Sequence, residues 1–138
     1  IKEGFDFNEL FEFNDFLPTM AEAAGIPIPT DTDGQSIYPL ISNEAQPTRE
    51  TVFMHYDPLK RGKSNAWYGR FIHDKEYKLY NDERFYNLNE DAEERHPIPN
   101  KDLSEKELLL KIKFQVSIDA APPHHFKQNN EYPINKSK

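Results

Sequence analysis

At 138 residues the chain suits one domain with room for a modest core. Its formal net charge of -7 argues against general nucleic-acid binding, which needs a basic face to neutralise phosphates. The absence of cysteine excludes disulfides, thiolate zinc sites and a cysteine nucleophile within the chain.

Residues 1–10 read as an extended entry segment with alternating Phe5 and Phe7. The stretch "NDFLPTMAEAAGIPIP" then predicts a helix. Asn14 or Asp15 is placed to cap it, since a short side-chain oxygen accepts from the exposed first-turn N–H groups. Pro18 is tolerated in that first turn. Phe16, Leu17, Met20, Ala23 and Ala24 form the expected apolar stripe. Gly25 supplies the C-terminal cap, and Pro27 and Pro29 prevent continuation. Asp33-Gly34 marks a turn into a short helical or irregular piece at residues 37–41.

Four strands follow, at residues 51–57, 66–74, 76–81 and 84–88, the first apolar on both faces and so expected to be central, with a basic loop, "PLKRGKSN", after it. The other connections are short, which suggests an antiparallel meander. A charged, Pro-containing stretch leads to Ser104 and Glu107, spaced as a capping box. The helix that follows has an expected stripe of Leu108, Ile112 and Val116, widened by Leu109 and Phe114, and stops at Pro122-Pro123. The fold class is α+β: a small four-stranded antiparallel sheet, a C-terminal helix packed on it, and an N-terminal junction helix. The divisions are 1–44 for the junction segment, 45–123 for the sheet–helix subdomain and 124–138 for a polar tail. No apolar run reaches the length of a membrane span. The chain opens on Ile1 without a signal peptide, and is expected to be part of a longer polypeptide.

Few residues invite chemistry. His124-His125 fit a solvent-exposed tail better than a metal site. Asp31, Asp33 and Gly34 open like a calcium loop, but no glutamate closes it. Asp15 has a catalytic and a capping reading, and capping accounts for it. The stretch "HYDPLKRGKSNAWYGR" joins His55 at one strand end to Trp67 and Arg70 at the next, across Lys60, Arg61 and Lys63. Cations beside a flat ring suit a sulfated or phosphorylated sugar. The same residues also suit a solvated loop beside a sheet whose rings are core.

The order of the segments resembles the sulfatases, in their bacterial arylsulfatase-like group within the alkaline-phosphatase superfamily. "FNDFLPTMAEAAGIPIP" is similar to their Asp-x-x-Pro-Thr helix, and "DGQSIYPLI" to their Asp-Gly-x-Ser-x-x-Pro-Leu-Leu segment. "TRETVFMHYDP" resembles the Pro-Arg-Glu strand that follows. "YKLYNDERFYNLNEDAEE" resembles the closing hairpin and its acidic turn, with Asn87 where Asp is usual and Ala92 where Pro is usual.

The resemblance implies the C-terminal subdomain of an enzyme that hydrolyses sulfate esters. The family nucleophile, a formylglycine made from Cys or Ser in Cys/Ser-x-Pro-x-Arg, has no counterpart here, so no catalytic, cofactor-binding or metal residue is assigned. Calcium and formylglycine are implied for the complete enzyme only. The partner is a catalytic domain N-terminal to this chain, and the ligand a sulfated glycan or aryl sulfate. His55, Trp67 and Arg70 become pocket-wall candidates. Family habit implies a periplasmic or extracellular place. A non-catalytic module for sulfated carbohydrate and a structural interaction domain are the competing readings.

Overall fold

The computed structural model describes residues 4, 6, 8–42, 49–56 and 69–121. A 3-10 turn at Phe13–Asp15 runs into α1, Phe16–Ala23, and a short α2 follows at Tyr38–Ile41. Strands β1 (Val52–Tyr56), β2 (Gly69–His73), β3 (Tyr77–Tyr80) and β4 (Phe85–Asn87) form one antiparallel sheet in the order β1-β2-β3-β4. The final helix α3, Glu105–Ala120, packs across it. The α+β architecture expected from sequence is the one observed.

Side-chain alternation explains the layering. The register pairs Phe53 with Ile72, Ile72 with Leu79 and Leu79 with Phe85, so these residues share one face. That face receives Phe114 and Ile118 of α3. Tyr77 lies stacked on Phe85, with ring centroids 5.3 Å apart. Tyr77 also donates to Glu107 of α3. Burial and the nearby Glu107 charge push its hydroxyl up to about 12, so it stays a neutral donor.

The turns are set by side chains. Asp74 accepts from the N–H groups of Glu76 and Tyr77, which closes the β2–β3 connection. Glu83 turns the next connection at φ 69°. Asn87 accepts from Asn89 N–H at 2.9 Å, so an amide does the turn work of the usual carboxylate.

The expected stripe of α3 is not the buried one. Of the expected residues only Phe114 is buried, together with Ile118 and with Leu110 packed against them, whereas Leu108, Leu109, Ile112 and Val116 are exposed. Both sets recur every four residues, two positions apart, so the helix is apolar on two sides. The larger ring at 114 fills the space over the sheet.

The capping box at Ser104 and Glu107 forms as expected: Ser104 accepts from Glu107 N–H, and Glu107 accepts from Ser104 N–H at 2.8 Å. The Ser104 hydroxyl, which also donates to the Glu107 carboxylate, and then the Ser104 N–H hold that carboxyl below its ordinary value. A depressed carboxylate stabilises the fold above its unfolded pKa and loses that contribution as pH falls through the folded value. Ser104→Ala should therefore cost about 1 kcal/mol near neutrality. In urea melts the gap to the parent protein should shrink on acidification through the glutamate range; a gap independent of pH would remove Glu107 from the account. Ala121 is extended, as a residue before proline must be, and α3 ends there.

Candidate functional site

The motif residues of the N-terminal unit meet in one polar knot. Asp15 is fully buried, and its side chain makes no hydrogen bond to the N–H groups of α1. The capping role expected for it is therefore corrected. One carboxylate oxygen accepts from Gln35 N–H at 2.7 Å and from the Arg49 guanidinium at 2.5 Å. The other accepts from Glu12 N–H at 2.8 Å. The second arm of Arg49 reaches Glu12 at 2.6 Å, so one planar fork spans two carboxylates.

Thr19 continues the knot. Its hydroxyl donates to Asp15 O and accepts from Ile37 N–H at 3.0 Å. Gly34 lets the two segments touch: a Cβ there would lie 2.0 Å from Asn14 O. Asp15 and Thr19, Gly34 and Gln35, and Arg49 come from separate sulfatase-like segments, and their job here is to bind those segments together. This burial of polar groups turns the expected stripe outward. Phe16, Leu17 and Met20 are exposed, as is Phe13 at 90%, while Pro18, Thr19 and Ala21 are buried.

The pocket-wall candidates lie elsewhere. His55 and Arg70 are direct cross-strand partners of β1 and β2, on the sheet face that carries α3. His55 is half-buried and Arg70 buried. Asn81 fixes the Arg70 backbone, accepting from its N–H and donating to its carbonyl, each at 3.0 Å. The Arg70 guanidinium donates to Ala121 O, beyond the last turn of α3, at 3.5 Å. A cation there complements the negative end of the helix. Trp67 and the basic residues Lys60, Arg61 and Lys63 lie outside the described residues, as do His124 and His125.

A second cluster was not foreseen from sequence. Glu94, held at φ 56°, takes the Tyr80 hydroxyl on one oxygen and the Lys78 ammonium on the other, the latter at 2.7 Å. Lys78 lies 4.0 Å over the Phe71 ring, and Arg84 4.5 Å over Tyr80. Burial first, then the bond to Glu94, pushes the Tyr80 hydroxyl well above its ordinary value. The acidic turn is thus tied to the outer face of the sheet. Its one legible signal was a carboxylate following a lysine-bearing strand.

The sheet and its helix are those of a sulfatase C-terminal domain. The chain belongs to the family described as N-sulphoglucosamine sulphohydrolase, C-terminal, whose model matches residues 1–119. It is 35% identical over 78 residues to the ulvan-active sulfatase of Formosa agariphila, covering 56% of this chain and 16% of that protein. It is 25% identical, at a TM-score of 0.61, to a protein solved in complex with its substrate D-glucosamine-2-N,6-O-disulfate, covering 82% of this chain and 25% of that one. A candidate sulfatase of Bacteroides thetaiotaomicron VPI-5482 shares the fold at 22% identity and a TM-score of 0.55, over 76% of this chain and 23% of that one. The chain therefore spans a quarter or less of the length of these proteins.

Proposed function

We propose that the chain serves a sulfatase acting on sulfated carbohydrate, and that it builds one wall of the substrate pocket without catalysing alone. The observation that carries the wall is the His55–Arg70 pair across β1 and β2. Arg70 is buried and one arm of its guanidinium reaches Ala121 O at the end of α3, so in this reading it backs the pair and the half-buried His55 ring makes the contact. Trp67, the third wall candidate named from the sequence, lies outside the described residues and carries no part of this reading. The sugar assignment draws on the relatives, one ulvan-active and one bound to a disulfated glucosamine.

Formylglycine and calcium are assigned to the remainder of the polypeptide. Among the described residues no three potential ligands gather to hold a metal ion. The oxygens of Asp15 and one of Glu12 are committed to N–H donors. These residues do not fit calcium, and no step passes through it here. The outward apolar face of Phe13, Phe16, Leu17 and Met20 is where that catalytic part docks in this reading, which hides a patch too apolar for open solvent. The periplasm or the cell exterior, the place implied by the sulfatase resemblance, is part of the same proposal.

The test is steady-state kinetics of the intact protein with a sulfated oligosaccharide. His55→Ala should raise KM by about tenfold, the worth of one charge-assisted hydrogen bond, with a smaller change in kcat. An unchanged KM in a folded variant would reject the wall. Equal binding of the sugar by the chain without its catalytic partner would favour a stand-alone module.

A further inference from the structure

The described residues divide into two packed groups. The 3-10 turn, α1 and α2 pack chiefly on one another, and the sheet packs on α3. The main buried hydrophobic cluster, Ile72, Tyr77, Leu79, Phe85, Phe114 and Ile118, belongs to the second group, while the first buries Ala21 apart from it. Between the groups, among the described residues, run the ion pairs of Arg49 with Glu12 and Asp15, and an ion pair of Lys75 with Glu9. The Lys75 side chain is 52% exposed, so that pair is weak. The side chains at the Arg49 clamp are 14%, 11% and 0% exposed for Arg49, Glu12 and Asp15.

We propose that Arg49 is a positioning residue: it fixes the orientation of the sheet, and so of His55, against the N-terminal group that faces the catalytic part. Arg49 stands three residues before β1, the strand that carries His55. Its guanidinium cannot pivot without breaking one of two short contacts, because both arms of the planar fork are engaged. Strand β1 leaves the clamp with its direction set, and His55 lies within that strand. A lysine would keep the charge but hold only one point. The inference rests on the pocket-wall reading of His55.

The test uses the intact protein, with hydrogen exchange and kinetics measured on the same samples. Arg49→Lys should leave amide protection of β3, β4 and α3 unchanged, because the core lies apart from the clamp. It should raise KM for the sulfated oligosaccharide on the order of tenfold, since small misplacements of positioning groups carry costs of this size, with kcat nearly unchanged. Glu12→Gln, which weakens one arm only, should shift KM in the same direction by less, and it serves if Arg49→Lys folds poorly. An unchanged KM in both folded variants overturns the inference. So does a KM change accompanied by lost protection across the sheet, which would make Arg49 merely structural. His55→Ala separates the two ideas. If it raises KM while Arg49→Lys does not, the clamp fails alone; if it has no effect, the wall fails first.

Discussion

Asp15→Ala should destabilise the N-terminal group by about 3–5 kcal/mol, several times the roughly 1 kcal/mol of an ordinary helix cap. The carboxylate is fully buried and accepts from Glu12 N–H, Gln35 N–H and Arg49. Alanine leaves both backbone donors without this acceptor and leaves Arg49 with Glu12 alone. Breaking one side of a buried pair is costly because the remaining charge stays desolvated, whereas replacing both sides can be nearly neutral. The double variant Asp15→Leu with Arg49→Met should therefore be less damaging than the sum of the single changes. A double-mutant cycle in urea, followed by hydrogen exchange over residues 13–41, measures this coupling. A single-variant cost near that of a cap, with additive behaviour, would reduce the knot to local helix capping.

The sheet was legible because its signals are local. Short apolar and aromatic runs mark the four strands, and Asp74 and Glu83 stand where the chain must reverse, although the first strand, expected to be central, lies at the sheet edge. Ser104 and Glu107 announce α3 three residues apart. Asp15 was misread for the converse reason. Its decisive partners are Gln35, 20 positions away, and Arg49, 34 positions away. A cap rule inspects one turn of helix, and from that window an aspartate before an apolar run has a sufficient local explanation. The resemblance had named the Asp-x-x-Pro-Thr, Asp-Gly-x-Ser and Arg-Glu segments in order. Their convergence on one buried ion cluster needed coordinates. The outward turn of Phe16, Leu17 and Met20 follows from the same error, since a helix that buries Asp15 and Thr19 must present its opposite side. His55 and Arg70 stand opposite each other because antiparallel strands joined by one loop bring their facing ends together.

Phe114→Ala should cost about 3–5 kcal/mol, while Ile112→Gln, two residues away on the outer side of the helix, should stay within about 0.5 kcal/mol. Phe114 is fully buried among Leu79, Phe85 and Ile118, and truncation leaves a ring-sized void that a sheet and a helix cannot close. Ile112 is 52% exposed, so glutamine there removes little buried surface. Periodicity alone cannot separate the two positions, because each belongs to a set spaced by four. Only the side that meets Ile72, Tyr77, Leu79 and Phe85 loses its water on folding, and burial sets the cost. Thermal and urea melts of the two variants decide between the stripes. Comparable losses would mean that the outer side of α3 is also covered in the intact protein. That result would turn Leu108, Leu109, Ile112 and Val116 from solvent-facing residues into part of an interface with the catalytic part proposed above.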